Sequence, residues 1–180
     1  MQQTKEQHAV FGGGCFWCTE AIFKAIDGVS EVVPGYSGGE LKNPTYNDIC
    51  TGETGHAEVI SIKFDPAKVS FEKLLEVFFL THDPTTLNRQ GADVGTQYRS
   101  VVFYTSEDQK TASKQIIKAL NEKKVYPNHI VTEVSKLSDF YPAENYHRDY
   151  FERNGNQPYC RMVIQPKYDK FKKEFKELIK

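Results

Sequence analysis

Apolar and polar positions along this chain follow two periods, one of two residues and one near 3.6, and the two alternate from the first strand to the last helix. Ala9-Val10-Phe11 reads as a short strand feeding Gly12-Gly13-Gly14. Beyond it Cys15, Ile22, Phe23 and Ile26 predict an amphipathic helix that stops at Asp27-Gly28. Val29 to Tyr36 is strand-like, with Pro34 demoting its end to an edge or a bend. Ala57 to Phe64 is the clearest strand: Glu58, Ile60, Ile62 and Phe64 share one face, and Ala57, Val59, Ser61 and Lys63 the other. Ser70 is placed to cap a helix running to about Thr81, with Leu74, Leu75, Phe78 and Phe79 as its buried stripe.

The second half repeats the alternation. Tyr98 to Tyr104 is read as a strand, and Ser106-Glu107-Asp108-Gln109 as a capping box opening a helix to about Lys124. Ile130 to Leu137 is a further predicted strand, and Pro142 suits the first turn of a helix through Phe151, stopped by Asn154-Gly155. Tyr159 to Ile164 is predicted as a last strand with Cys160, Met162 and Ile164 in phase. Phe171, Phe175, Leu178 and Ile179 stripe a closing helix. Strands and helices alternate without a strict βαβ rhythm, so the pattern predicts an α+β two-layer sandwich, with residues 1–180 as a single domain. Two polar loops, Ser37 to Gly55 and His82 to Gln97, exceed the length that compact domains usually carry unless the loops serve a site.

Composition narrows the class. Lys plus Arg number 23 against 24 Asp plus Glu, a net charge of −1 with the signs interspersed, which argues against nucleic acid or an anionic membrane as partner. Met1 to His8 is polar, without the apolar stretch of a leader, and no run approaches a membrane-spanning length. The expected location is the cytoplasm and the expected state a monomer. Four cysteines are too few for a disulfide scaffold, so in a reducing compartment each is a buried thiol, a metal ligand or a redox catalyst.

Cys15 and Cys18 stand out, because the glycine run ahead of them leads into a helix start, where the dipole lowers a thiol's pKa. A reactive thiolate at Cys15 is the first expectation. Three residues apart on one helix face, the two Cα atoms would lie about 5 to 6 Å apart, within disulfide range. A half zinc site is the weaker reading, since Cys50 and Cys160 are solitary and no second close pair exists. Phe16 and Trp17, beside the nucleophile, suit the walls of an apolar pocket for a methyl or thioether group, although packing in the core would also explain them. Glu58, a carboxyl in phase with large apolar residues, should be raised by desolvation to between about 6 and 7, which makes a general acid available near neutral pH. His56 shares its parity and could pair with it or serve as an ordinary hydrogen-bonder. A thiolate, an apolar pocket and a buried neutral acid suit attack on a soft centre whose oxygen must leave protonated, and sulfoxide reduction is such a step.

Gly14-Cys15-Phe16-Trp17 resembles the signature of the A-type peptide methionine sulfoxide reductases. The likeness continues through Gly35-Tyr36-Ser37-Gly38-Gly39, Asn43-Pro44-Thr45-Tyr46, Thr54-Gly55-His56-Ala57-Glu58, His82-Asp83-Pro84-Thr85, Gly95-Thr96-Gln97-Tyr98-Arg99-Ser100, Ala143-Glu144-Asn145-Tyr146-His147 and Pro158-Tyr159-Cys160. The resemblance implies a mixed sheet with a ferredoxin-like core and no cofactor beyond an external dithiol. It implies Cys15 as the nucleophile that becomes a sulfenic acid and Glu58 as the acid that protonates the sulfoxide oxygen. It further implies Tyr46 and Tyr98 as hydrogen-bond donors to that oxygen, Phe16 with Trp17 as the methyl pocket, and Asp93 as a supporting polar residue. The S epimer of methionine sulfoxide, free or in oxidised proteins, is the substrate the resemblance implies.

The chain departs from many members of that family at recycling. They carry glycine at the position of Cys18 and resolve the sulfenic acid with a cysteine in a C-terminal tail, whereas no cysteine follows Cys160 here. Cys18 is therefore read as the resolving thiol, forming Cys15–Cys18 for reduction by thioredoxin or a similar dithiol. Cys160 is read as core, and Cys50 as an outside candidate for a second exchange. The rival from another class is a cysteine hydrolase or peptidase using Cys15 with His147 and Asn145, which would leave Glu58 without a use.

Overall fold

The computed structural model describes residues 5–180; Met1 to Thr4, part of the polar start from which the lack of a leader was read, lie outside the described residues. Six strands form one sheet in the order β7-β6-β1-β3-β2-β8. They are β1 (Gln7–Gly12), β2 (Val29–Ser37), β3 (Ala57–Phe64), β6 (Val101–Tyr104), β7 (Glu133–Lys136) and β8 (Phe140–Pro142). A two-stranded ribbon, β4 (Arg89–Gln90) with β5 (Asp93–Val94), stands apart from it. All pairings in the large sheet are antiparallel except β6 with β7, which makes it mixed.

The helices are α1 (Phe16–Lys24), α2 (Tyr46–Cys50), α3 (Phe71–Leu80), α4 (Glu107–Glu122), α5 (Tyr150–Asn154) and α6 (Gln165–Glu174). Taken as β1-α1-β2-β3-α3-β6, with spatial order β6-β1-β3-β2, the centre is the split βαβ arrangement of a ferredoxin-like core. The α+β reading with a mixed sheet holds.

The parity of β3 explains the two layers. Ile60, Ile62 and Phe64 join Phe11, Phe16, Phe23, Phe78 and Phe79 in the main core under the helices. Ala57 and Val59 face the other way and meet Val10, Val101 and Phe103, covered by Leu137 and Phe140. Each of those buried phenylalanines contributes on the order of 1.5 to 3 kcal/mol by leaving water. Ser70 caps α3 by accepting the Lys73 N–H at 3.0 Å. Ser106 likewise accepts the Gln109 N–H, but the box is not reciprocal: the Gln109 amide reaches back to the Thr105 N–H and to the His8 carbonyl, tying α4 to β1.

Four local expectations are corrected. Tyr98 lies on a single 3-10 turn, Thr96–Tyr98, and not on a strand. The segment after Pro142 is not one helix: Phe140–Pro142 is a strand paired with β2, Asn145–His147 a 3-10 turn, and only Tyr150–Asn154 an α-helix. Tyr159 to Ile164 is helical, a π turn over Cys160–Ile164 that runs into α6. Cys160 and Ile164, four apart, are both buried while Met162 is 78% exposed, so the period there is helical and the period-two match was a coincidence of a short window. The closing helix is shorter than its stripe predicts: α6 ends at Glu174, Leu178 lies on a 3-10 turn, Lys176–Leu178, and Ile179 bridges Ile26. Both long loops carry structure of their own, α2 in the first and the β4–β5 ribbon in the second.

Candidate active site

β1 delivers the chain to Gly12-Gly13-Gly14, and the backbone turns there into α1. Gly14 has φ +88, and a Cβ on it would lie 2.7 Å from Gln90 Cγ, so a side chain is excluded twice over. Cys15 follows as the N-cap of α1 with extended backbone angles, so it stands at the mouth of the helix and not on its face. The Cys18 N–H donates to the Cys15 carbonyl at 3.1 Å, placing the second cysteine one turn in, where it is buried.

β3 runs beneath this turn and presents Glu58, 1% exposed, whose Oε1 accepts the Phe16 N–H at 3.2 Å. Desolvation pushes the Glu58 carboxyl up to about 8; the Phe16 N–H opposes the rise and the charge of Asp93 adds to it. The direction matches the sequence expectation, and the displacement is larger. His56 does not join it: its Nδ1 accepts the Gly39 N–H at 3.0 Å and its Nε2 reaches the Leu41 carbonyl at 2.7 Å, stapling the loop.

The expectation of a lowered thiol at Cys15 is reversed. Burial, and after it the charge of Glu58, push Cys15 well above the usual thiol range, outweighing the Trp17 N–H that favours the thiolate. The helix start is present, but desolvation wins. With its carboxyl at about 8, Glu58 is mostly uncharged in neutral solution, so most of its share of that penalty is lifted there. Cys18 is also raised by burial, against the pull of Lys167.

The tyrosines converge on the same spot. Tyr46 opens α2, whose N-terminus is closed by a reciprocal box between Thr45 and Asp48. Burial and then Glu58 push its hydroxyl up, and the neighbouring Cys50 adds to the rise. Burial and the charges of Glu58 and Cys15 do the same to Tyr98. Both hydroxyls therefore stay protonated and able to donate. Phe16 is wholly enclosed against Tyr36 and His147, while Trp17 remains half-buried and stacks on Tyr150 with centroids 3.7 Å apart and planes 8° apart. Asp93 Oδ2 accepts the Tyr159 hydroxyl at 2.7 Å. All the predicted site residues thus gather around the start of α1. Cys50, by contrast, is exposed at the end of α2, and Cys160 is fully buried.

Glu144, Tyr150 and Tyr159 escaped the sequence reading as site residues, and His147 entered it only as the base of the rival hydrolase. Glu144 accepts the Tyr36 hydroxyl at 3.0 Å and the Tyr46 N–H at 2.9 Å, fixing the α2 start. Tyr150 and Tyr159 flank Trp17. His147 accepts the Trp17 indole N–H on Nδ1 at 3.0 Å, which leaves the proton on Nε2. Only the motif blocks containing Glu144, His147 and Tyr159 hinted at them. The contacts of His147, Tyr150 and Tyr159 to Trp17 on α1 span more than a hundred residues, those of Glu144 to Tyr36 and Tyr46 about a hundred, and they leave no local pattern. With Nδ1 occupied and Nε2 protonated, His147 has no nitrogen free to deprotonate Cys15, and Asn145 is exposed, so the hydrolase constellation is not formed.

Among the described residues no group of three His, Cys, Asp or Glu is arranged to hold a metal ion, and no helix is long and apolar enough to cross a membrane.

The profile of the family described as peptide methionine sulfoxide reductase matches residues 7–179. A relative from Sulfolobus acidocaldarius, peptide methionine sulfoxide reductase MsrA, is 55% identical over 167 residues, covering 93% of this chain and 94% of that protein. Among solved structures, Mxr1 from Saccharomyces cerevisiae in reduced form is similar with a TM-score of 0.82 and 32% identity, over 88% of this chain and 91% of that one. The same yeast protein in complex with Trx2 gives a TM-score of 0.58 at 23% identity, over 83% of this chain and 87% of that one, a likeness of fold. Match to the family profile over nearly the whole chain agrees with the cysteine, acid and tyrosine arrangement built above: the chain belongs to the peptide methionine sulfoxide reductase family.

Proposed function

We propose that this protein reduces the S epimer of methionine sulfoxide, free or in proteins, to methionine, using Cys15 as nucleophile and Cys18 as resolving thiol. The observation that carries the reading is the placement of Glu58: a carboxyl 1% exposed, accepting the Phe16 N–H next to Cys15 and near enough for its charge to be felt by Cys15, Tyr46 and Tyr98, with burial pushing it up to about 8. At neutral pH it holds a proton it can give away.

The Cys15 sulfur attacks the sulfoxide sulfur as Glu58 protonates the sulfoxide oxygen, which Tyr46 and Tyr98 hold by donated hydrogen bonds. The substrate S–O bond breaks and the protonated oxygen passes to the Cys15 sulfur as a sulfenic acid, while the transient Cys15–substrate S–S bond breaks with its electron pair left on the substrate sulfur. Methionine leaves, reduced by the two electrons that Cys15 has lost. The thiol proton lost by Cys15 restores the Glu58 carboxyl. Cys18 then attacks the sulfenic sulfur, releasing the oxygen as water and forming the Cys15–Cys18 disulfide, which an external dithiol reduces. The complex that yeast Mxr1 forms with Trx2 supports a thioredoxin in that role. Phe16 forms the floor of the methyl pocket and Trp17 its wall, while Asp93 orients Tyr159. Thiol recycling suits a reducing compartment such as the cytoplasm, and the reading takes residues 1–180 as one domain acting as a monomer.

The test is to mix the protein with methionine S-sulfoxide, first alone and then with thioredoxin and its reductase, and to measure methionine formed and thiols lost. One methionine and two thiols lost per protein without reductant, and continuous turnover with it, is the expected result; no methionine overturns the reading. Cys18→Ser keeps the single stoichiometric turnover but loses thioredoxin-driven cycling. Unchanged cycling in that variant would assign recycling to Cys50 or to direct reduction of the sulfenic acid.

A further inference from the structure

Trp17, Glu20 and Lys24, spaced three and four residues apart, form one stripe on α1. All three reach the same distant segment, residues 147 to 152. Trp17 donates to His147 and stacks on Tyr150. Lys24 pairs with Asp149 and, at 3.1 Å, with Glu152. Between them Glu20, 2% exposed, accepts the Asp149 N–H on Oε2 at 3.1 Å, and the neighbouring Tyr150 N–H adds a smaller pull toward its charged form.

The reaction as proposed does not use Glu20, and burying a carboxyl is costly: desolvation pushes it up to about 7 although two N–H groups favour its charge. The segment it holds shows what it does. Asp149 sits at φ +55, in the left-handed region that aspartate tolerates better than most residues and that reverses the chain at the start of α5. It leads into α5, only five residues long and without a side-chain cap of its own. A helix that short is unstable unless tertiary contacts hold it. The exposed Lys24 pairs are worth little in water, and the Trp17–Tyr150 stack needs Tyr150 already in place. Phe151 on Tyr168 and the Arg153 guanidinium on the Tyr146 and Arg148 carbonyls hold the flanks of the segment, and Glu20 is the buried, directional contact from α1 to Asp149 itself.

We propose that Glu20 is a positioning residue for the sulfoxide site: its carboxyl pins the Asp149-Tyr150 backbone to α1 and so sets the Tyr150 ring on Trp17 and His147 against the indole. The proposal rests on the reading of Trp17 as the pocket wall. Through this latch one face of α1 carries both the nucleophile's neighbour and the anchor of the aromatic group packed behind it.

Trp17 is the single tryptophan, so its fluorescence reports the latch without any substrate. In Glu20→Leu, which removes the acceptor at similar volume, emission moves to longer wavelength and acrylamide quenching rises. The single-turnover kcat/KM for methionine S-sulfoxide falls about tenfold, mostly through KM. Glu20→Gln keeps an acceptor oxygen and restores wild-type emission and KM, and Lys24→Met leaves both unchanged. If Glu20→Leu does not fold, Glu20→Asp, which withdraws the carboxyl by one methylene, carries the same expectation. Wild-type emission and KM in the folded variant overturn the proposal, and shifted emission with unchanged KM overturns the positioning role while leaving the reductase reading intact. Absence of turnover in the wild-type protein overturns both.

Discussion

Dithiol-driven reduction of methionine S-sulfoxide falls to the level of buffer in Cys15→Ser. A serine hydroxyl at this N-cap is far weaker as a nucleophile toward sulfur, and it can form neither a sulfenic acid nor a disulfide with Cys18. The surroundings that position the substrate do not depend on the thiol. Glu58 is held by the Phe16 N–H, Tyr46 by Glu144, and Trp17 by His147 and Tyr150. The variant should therefore still bind methionine S-sulfoxide, read as a change in Trp17 emission on titration. Methionine production that survives the substitution would assign the chemistry to another thiol, and Cys50, exposed beside Tyr46, would be the first to examine.

Glu58→Gln slows the first, methionine-forming step by about 10² to 10⁴-fold, the usual worth of a general acid. The pH dependence separates this role from simple packing. Glu58 is active as the protonated form, so with its carboxyl at about 8 the wild-type single-turnover rate declines as pH rises through about 8. The glutamine variant loses that alkaline limb, because nothing titrates at the position. Stability moves in a linked way. A carboxyl raised from 4.5 to about 8 by folding binds its proton more tightly in the native state, so its contribution falls as pH rises from about 4.5 and levels off above about 8. Glu58→Gln removes that decline, and its stability relative to wild type, measured by urea denaturation, is greater at pH 9 than at pH 6. A variant with unchanged single-turnover rate and an intact alkaline limb would remove Glu58 from the chemistry.

Much of the scaffold was legible because its signals are local. β3 alternates cleanly, and its parity alone puts Glu58 on the core face. Ser70 and Ser106 both cap the helices that follow them. The failures cluster after residue 95. Tyr98 looked like strand because it precedes Val101–Tyr104, yet Gly95, at φ +146, starts a 3-10 turn there. Phe140–Pro142 became a strand only because β2 offered it an edge, and Cys160–Ile164 became helix because α6 continues it and packs on α1. Short segments of this kind take their conformation from what they pack against, which overrides weak local preference.

By itself the sequence determined the thiol at the end of a glycine turn, the acid in phase with the core, the alternation of elements and the family signature. These depend on neighbours within a few residues and on side-chain chemistry. Only the tertiary structure decided that Cys15 is a raised thiol at a helix N-cap, because desolvation depends on everything packed around the sulfur. It alone decided that His147 is committed to the Trp17 indole and that Glu20 ties α1 to α5, because those partners are more than a hundred residues apart.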